Sequence, residues 1–575
     1  MEKLPSEPQQ QVEKLIPNKP RLRNIEDTLV FLESEEGPDG EKINWKDLYE
    51  KVGPWETGLE LSEKVREVVR DYLVSKFPAL KEKILSIGNL PDKDVLDALA
   101  NSWFEGLEDE VKGKRIEVLL SVITHVLRRI ETRVYKKIIE ESDDRALEKL
   151  GLTRELSEPL INILDASAKS DPLYIRYIAY AQLSPKPPEE ANPSAPIGQD
   201  GKPHTWAELF PHETQFISKK LKTVLENKEG WQNIEGAAEF EKYVELLSKF
   251  FFEKDINRAK DAPKEIEEAY ANALSGGFPI VISPPTGSYY KEPYLDPELR
   301  VSIRTPDAKA QEQNFIALQN AMADELGTLG VSQFADSMRK KPIASVVSIG
   351  AYGANLTFTA AAETEKDITL FLDEQIRRYD KNLSNFLKLI DVTEGTFNNT
   401  SPERIEEMSR EDTIFHELSH SVYTLDEEAQ KRLGGLKSET IIGETAAETI
   451  HRGLARELIE KGLINYTPEQ YIAVTLAMPL QVIKERDPNN EYLKAAVYVL
   501  NGMFEQGLVE FDGSQIRVKN MNGIFDYLKE NAKKIISVYE DPEMTRSKAD
   551  RWVKDNCTAN EKLQKLIDFI KFRKE

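Results

Sequence analysis

The stretch "EDTIFHELSHSVY" (411–423) is the most informative part of this sequence. It contains His416, Glu417 and His420 in the pattern H-E-x-x-H. On an α-helix the two histidines lie one turn apart on one face, so both rings can reach a single ion. With six histidines in 575 residues, roughly 0.01 such matches are expected by chance. The stretch therefore predicts a zinc site on a helix.

A third zinc ligand is predicted in "GETAAETIHRGLARELIEKGLI" (443–464), a helix with a regular apolar stripe. Glu444 and Glu448 are four residues apart, so they share one face of this helix. A carboxylate from this face would complete a His₂Glu set and leave a fourth position for water. A solvated acidic face is the alternative. His451 lies on the same face, where we expect a surface role rather than an orienting one.

Helix-start signals precede the zinc motif. Ser401 and Pro402 predict the beginning of one helix, with a cap followed by proline in the first turn. Ser409 and Asp412 form S-x-x-D, which predicts the beginning of the next helix through a capping box.

Composition limits the class of protein. There are 77 Lys and Arg residues against 100 Asp and Glu, a formal net charge of −23, which argues against nucleic acid and anionic membranes as partners. Cys557 is the one cysteine, so no intramolecular disulfide can form. Neither an N-terminal apolar signal nor an apolar run of about 18 residues occurs, so we expect a cytoplasmic protein.

The predicted fold is mostly α with a smaller mixed α/β part, arranged as two lobes around a cleft, with the zinc site on paired helices of the helical lobe. We expect a helical N-terminal region (1–200), a mixed α/β substrate-binding region (201–360) and a helical zinc-binding region (361–575). Strands are predicted from short β-branched runs. They are 278–283, 300–304, 344–350 and 367–372, with a hairpin at 508–518 that turns at Asp512-Gly513.

"GETAAE" (443–448) resembles the E-E-x-x-A-E/D motif of the dipeptidyl peptidase III family of zinc peptidases. By this resemblance Glu444 is the third zinc ligand, and Glu448 is the carboxylate that orients a ligand histidine. The segment "EYLKAAVYVLNGMFEQGLVEF" (491–511) is similar to the family's segment after the zinc helices. The resemblance spans roughly 278–540, as this alignment of motifs implies.

Two further segments resemble the family's substrate-binding regions. "KEPYLDPELR" (291–300) is similar to its E-x-Y region, which implies that Glu292 binds the free amine of a peptide and Tyr294 hydrogen-bonds the oxyanion. Tyr289 and Tyr290 are rivals for the role of Tyr294. "SIGAYGANLTF" (348–358) resembles the segment with a substrate-binding asparagine, which implies that role for Asn355.

The sequence departs from the family's pattern in four places. The family's usual motif is H-E-x-x-x-H, one residue longer than "HELSH". Tyr492 stands where the family has a catalytic histidine, Ala496 where it has an arginine, and Phe358 where it has a second asparagine. The first difference leaves zinc binding intact, whereas the others bear on transition-state stabilisation and on the dipeptide register.

These observations predict an exopeptidase with one Zn²⁺ per chain, acting on short peptides with Glu417 as general base. A catalytically inactive peptide-binding protein is the alternative, and a zinc hydrolase of non-peptide amides is a third. The losses at Tyr492 and Ala496 favour the binder, whereas an intact Glu417 favours the enzyme.

Overall fold

A computed structural model describes most of the chain, and every structural statement below concerns its described residues. These are 42–76, 129–170, 173, 195–198, 200–285, 297–350, 360–361, 368–371, 383–392, 402–423, 432–433, 437–485 and 490–572. Several residues singled out above lie outside these ranges: Glu292, Tyr294, Asn355, Tyr289, Tyr290, Phe358 and Ser401.

Helices make up most of the described chain. In the first part they are α1 (Trp45–Val52), α2 (Gly58–Lys76), α3 (Asp144–Lys149), α4 (Arg154–Ser170), α5 (Trp206–Leu209), α6 (Pro211–Glu226), α7 (Ala237–Phe250), α8 (Ile256–Gly276), α9 (Pro306–Glu325) and α10 (Ala335–Lys340). Residues 129–141 are also helical. The later helices are α11 (Pro402–Ser419), α12 (Lys437–Glu460), α13 (Pro468–Glu485), α14 (Glu491–Glu505), α15 (Met521–Glu540), α16 (Arg546–Asn556) and α17 (Glu561–Phe572).

The strands are few and short, and they pair in both directions. They are β1 (Ile280–Ile282), β2 (Val301–Ile303), β3 (Ile343–Gly350), β4 (Ala360–Ala361), β5 (Ile368–Phe371), β6 (Ile390–Asp391), β7 (Val509–Phe511) and β8 (Ile516–Val518). β2 pairs antiparallel with both β1 and β3, and β4 pairs antiparallel with β5. β8 pairs parallel with β6 and antiparallel with β7. The predicted class, mostly α with a smaller mixed α/β part, is therefore confirmed.

The strand predictions match β1, β2, β3, β5 and the β7–β8 hairpin. The hairpin turns where expected, because Oδ1 of Asp512 accepts hydrogen bonds from the backbone amides of Ser514 and Gln515, each at 2.9 Å. Gly513 has a φ of 98°, a conformation that favours glycine.

The chain divides into two compact units. One is formed by Met1–Ala310, Ala344–Thr357 and Phe371–Asp373, and the other by Gln311–Ile343, Phe358–Leu370 and Glu374–Glu575. The three regions predicted from the sequence stay a prediction. In the first unit, α4 packs on α6 and α7 packs on α8. Trp231 is fully buried there, with edge-to-face contacts to Phe240 and Phe278.

In the second unit, α12 is the central helix and packs against α11, α14 and α15. Its predicted apolar residues Ile450, Leu454 and Leu458 are all buried, as the 3.6-residue period requires. α12 and α15 approach closely at Gly453, where an added Cβ would lie 2.5 Å from Cβ of Ala532. Glycine is therefore needed at this crossing.

The predicted boundary between two helices at Ser409 is wrong. α11 runs without a break from Pro402 to Ser419, and both Ser409 and Asp412 are buried inside it. The S-x-x-D pattern does not cap a helix here because the Asp412 carboxylate has buried partners on another helix, as the site below makes clear.

Among the described residues, no helix combines the length and the apolar character that a membrane crossing needs. Cys557 is buried, and burial raises the pKa of its thiol to about 12.

The Gly453 crossing generates a stability prediction. Gly453→Ala should lower the free energy of unfolding by about 1–3 kcal/mol, because the added methyl group overpacks the contact with α15. Denaturant unfolding followed by circular dichroism measures this change. Gly327→Ala is the matched control, since its added Cβ would meet only Ser332, at 3.9 Å. Equal effects for the two substitutions would contradict the role given to this crossing.

Candidate metal centre

Two histidines lie at the C-terminal end of α11. His416 is in the last turn, and His420 is the first residue after Ser419, where the helix ends. Their ring centroids are 5.0 Å apart, and the ring planes are inclined at 84°. The four-residue spacing thus puts both rings on one side of the helix, as the motif predicts.

The chain after His420 is held in place by Tyr423. This residue has a φ of 63°, the one positive φ of a non-glycine residue in the described part of the chain. Its hydroxyl donates to Oε1 of Glu540 at 2.7 Å, and its ring stacks on Tyr539 with centroids 5.6 Å apart. These contacts offset the cost of the left-handed backbone and fix the segment that follows the second histidine.

Glu444 on α12 faces both histidines. Its Oε2 atom lies 3.3 Å from Nε2 of His416 and 3.9 Å from Nε2 of His420. One potential ligand atom from each of the three side chains lies within 4.8 Å of the other two. Oε2 of Glu444 is buried and receives no well-aligned hydrogen bond within the described residues. A buried carboxylate oxygen beside two imidazole nitrogens is a donor set suited to zinc.

Glu448 faces the other nitrogen of His416. Its Oε1 atom lies 3.1 Å from Nδ1 of His416, a close contact that is not well aligned as a hydrogen bond. A neutral imidazole protonated at Nδ1 would keep the lone pair of Nε2 free for a metal ion. A carboxylate behind a histidine is a common way to fix ring orientation at a metal site.

The pKa of His416 is raised well above its usual value. Burial alone would lower it, but the close carboxylates of Glu444 and Glu448 outweigh burial. The pocket between the two carboxylates therefore favours one or more positive charges. A divalent cation at Nε2 would meet the same electrostatic demand as a proton there.

The pKa values of the neighbouring side chains, Glu417 and His420, are also shifted. Burial raises the pKa of Glu417 to about 7, against the charge of His416, which lowers it. Burial lowers the pKa of His420 well below its usual value, with a further contribution from the charges of His416 and Lys341. A carboxyl group with a pKa near neutrality is suited to accept and return a proton.

Behind these residues lies a buried charge network that the sequence analysis missed. Arg452 is fully buried, and it pairs through NH1 with Glu448 and through NH2 with Oδ2 of Asp412 at 3.2 Å. His451 is also buried, with Nε2 3.3 Å from Oδ1 of Asp412 and Nδ1 2.8 Å from the carbonyl oxygen of Ala447. The surface role expected for His451 is therefore wrong.

Arg452 sets the ionisation of the network. Burial would raise the pKa of Glu448, but the charge of Arg452 and the close contact with His416 outweigh it and lower that pKa. The pKa of Asp412 is lowered against burial in the same way, chiefly by Arg452. Burial, reinforced by the charge of Arg452, lowers the pKa of His451. Both carboxylates are thus held in the charged form.

A sequence signal for this network existed. Asp412 precedes His416 by four residues, and Arg452 follows Glu448 by four residues. Each helix therefore carries three polar side chains on one face, at i, i+4 and i+8. They are Asp412 and His416 on α11 with His420 directly after its end, and Glu444, Glu448 and Arg452 on α12.

The cross-helix contacts occur in opposite order along the two helices. Asp412 pairs with Arg452, His416 with Glu448, and His420 with Glu444. The two faces therefore run antiparallel and in register, one pair per helical turn. We call these three pairs the ladder.

Tyr492, at the start of α14, is near the ladder. Its ring centroid is 6.4 Å from that of His416, with the planes inclined at 36°. Ala496 is buried one turn later on the same helix. The group that α14 places near His416 is therefore a tyrosine ring rather than an imidazole.

The structure thus brings together His416, His420, Glu444 and Glu448, with Glu417 adjacent in sequence. Their roles stay predictions. The predicted substrate-binding residues Glu292, Tyr294 and Asn355 lie outside the described residues.

Comparison with known proteins gives matches to solved structures alone. No family model matches the chain, and no curated protein does. A structure of dipeptidyl peptidase III from Caldithrix abyssi is similar at 16% identity with a TM-score of 0.48, covering 81% of this chain and 93% of that one. A dipeptidyl peptidase III structure from Corallococcus sp. strain EGB has the same identity and TM-score, covering 65% of this chain and 70% of its own. Both structures carry the name of the family that the sequence motifs resemble.

Proposed function

We propose that this protein is a zinc-dependent exopeptidase that releases short N-terminal fragments, most simply dipeptides, from oligopeptides. One observation carries the proposal: potential ligand atoms of His416, His420 and Glu444 converge within 4.8 Å, beside a glutamate that the ligand set leaves unused. That glutamate is Glu417, and a carboxylate in this position is the general base of metallopeptidases with the H-E-x-x-H pattern.

The residues fit one zinc ion. Two neutral imidazoles and one carboxylate are a usual catalytic set, which keeps one position open for water or substrate. When bound, zinc supplies Lewis-acid polarisation of a water molecule and of the scissile carbonyl. Glu448 would hold His416 so that Nε2, rather than Nδ1, is free to bind the ion, since its Oε1 atom lies 3.1 Å from Nδ1.

Glu417 is the proposed group that transfers the proton from the attacking water to the leaving amine. Its carboxylate can take a proton from the attacking water, and its carboxylic acid can return the proton to the leaving amine.

Contacts to the substrate are proposed from the family resemblance. Glu292 and Asn355 would hold the free N-terminus of a peptide, and this would limit cleavage to its first peptide bonds. Tyr294 would donate a hydrogen bond to the oxyanion, with Tyr289 and Tyr290 as rivals. Short peptides would be the ligands of a cytoplasmic enzyme of this kind.

An inactive peptide-binding protein with the same fold is the second candidate. The observation in its favour is the Tyr492 ring, which lies 6.4 Å from that of His416 where the family resemblance implies a catalytic histidine. Glu417 favours the enzyme, because a protein that only binds peptides has no use for a general base.

We predict that one zinc ion binds per chain and that His416→Ala or His420→Ala removes it. Two remaining ligands rarely retain zinc against a chelator. Mass spectrometry of the metal content after zinc loading and dialysis measures the stoichiometry. His204→Ala is the control: it removes a histidine that contacts Oδ1 of Asp200 at 2.9 Å and belongs to neither the ligand set nor the ladder, and it should keep the ion. A wild-type protein that carries no zinc would contradict the metal proposal.

Substitutions of Glu444 and Glu448 on α12 should affect zinc binding to different degrees. Glu444→Ala should abolish zinc binding because it removes a ligand atom. Glu448→Ala should weaken zinc affinity by about 10–100-fold, because it removes only the partner of Nδ1 on His416. Competition with a chromophoric chelator gives both affinities. The opposite ranking would mean that the ligand lies one helical turn away from Glu444.

Glu417→Gln separates an enzyme from a binder. The substitution should preserve zinc content and peptide affinity while kcat falls by about 10²–10⁴-fold, since general base catalysis is lost. The assay is hydrolysis of dipeptidyl and aminopeptidyl naphthylamides and of a panel of peptides. Glu411→Gln is the matched control, because Glu411 is a buried carboxylate of the same helix that pairs with Arg404 instead. Wild-type protein that binds peptides tightly but cleaves none would favour the binder.

A further inference from the structure

The pair Arg452–Asp412 differs from the other two pairs of the ladder. Neither of its residues is a proposed zinc ligand, and neither contacts a proposed ligand on the other helix. Yet Arg452 also contacts Glu448, whose carboxylate contacts His416. An uninterrupted chain of polar contacts therefore runs from Asp412 through Arg452 and Glu448 to the Nδ1 atom of His416.

Such an ion pair is costly to bury. Arg452 has no exposed surface at its side chain, and the Asp412 side chain is 8% exposed. Desolvation of buried charges commonly cancels the gain from their attraction, so apolar residues of similar size would usually serve stability as well. A fully buried Arg–Asp pair at this place thus calls for a role other than stability.

The geometry provides that role. The guanidinium fork binds one carboxylate on each helix, Glu448 within α12 and Asp412 across on α11. It therefore fixes the carboxylate of Glu448 from behind and also the register of α11 against α12. Both constraints act on His416, which takes its ring orientation from Glu448 and its position from α11.

We propose that Arg452 is a positioning residue for the metal centre: through Glu448 and Asp412 it aims Nε2 of His416 at the ion, so that zinc affinity depends on a guanidinium that never touches the ion. This inference rests on the proposed zinc site. It assigns to the Arg452–Asp412 pair a function that the ligand set and its orienting carboxylate do not include.

Arg452→Met and Arg452→Lys test this proposal. Methionine keeps much of the side-chain volume and removes the charge, whereas lysine keeps the charge but lacks the fork that can reach two carboxylates at once. Zinc affinity should fall by about 10–100-fold in Arg452→Met, as for other groups that support a ligand from behind. Arg452→Lys should lose affinity as well, by about 10-fold, because charge without the fork does not fix both partners.

The matched control is one turn further along the same helix. Arg456 pairs with Oδ1 of Asp526 at 2.7 Å and donates to the carbonyl oxygen of Asn522 at 2.9 Å, and neither partner belongs to the ladder. Arg456→Met and Arg456→Lys should therefore leave zinc affinity unchanged, whatever they do to stability.

The readouts distinguish positioning from general stability. Zinc affinity is measured by chelator competition on protein whose folding has been checked by circular dichroism, and unfolding of the metal-free protein is measured separately. The visible spectrum of the Co²⁺-substituted protein reports coordination geometry, and it should change in both Arg452 variants but in neither Arg456 variant. If Arg452 had a purely structural role, its substitutions would lower the unfolding midpoint. They would leave the zinc affinity and the Co²⁺ spectrum as in the wild type.

The outcomes separate the two proposals. If the wild type binds no zinc, the proposed function fails. If the wild type binds zinc and both Arg452 variants bind it equally well with an unchanged Co²⁺ spectrum, the positioning role is overturned and the zinc site stands. If Arg452→Met does not fold, the zinc affinity and the Co²⁺ spectrum of Arg452→Lys decide whether the positioning role stands.

Discussion

The second unit of this protein depends on burying a row of charged and polar side chains between α11 and α12. Carboxylates and a guanidinium can leave water only when each meets an opposite charge or a complementary hydrogen-bond partner. The three pairs of the ladder meet this demand in one antiparallel register, Asp412 with Arg452 at one end and His420 with Glu444 at the other. A shift by a single turn would place Asp412 opposite Glu448 in one direction, or Arg452 opposite His416 in the other. Either shift would leave the buried Arg452 without its partner on α11.

The surroundings make that register rigid. Gly453 lets α12 approach α15, and Tyr423 fixes the chain just after His420. Apolar residues fill the space around both helices, among them Ile414, Leu418, Ile450 and Leu454, all buried. A metal centre needs its donors held within a fraction of an ångström, which side chains on packed helices achieve better than side chains on loops. The fold thus concentrates its rigidity where the proposed chemistry requires it.

Part of this arrangement could be predicted from the sequence and part could not. Spacing within one helix is a local property, so the shared faces of His416 with His420 and of Glu444 with Glu448 follow from the sequence alone. The pairing of the two faces is a tertiary property. Asp412 has the local pattern of a helix cap, and only its contact with Arg452 on another helix explains why α11 continues through it. His451 was expected at the surface because a lone histidine carries no sign of its partner, whereas its neighbours Ala447 and Asp412 bury it. The strands were predicted well because their β-branched runs are short, continuous and bounded by turn residues.

X-ray absorption at the zinc edge of the zinc-loaded, full-length protein tests the central claim most directly. The account predicts one zinc per chain with nitrogen and oxygen ligands at about 2.0–2.2 Å and the outer-shell scattering of two imidazole rings. In Glu444→Ala protein no such centre should remain after dialysis. A spectrum without imidazole scattering, or one that is the same in wild-type and Glu444→Ala protein, would contradict the claim that these three side chains hold the ion.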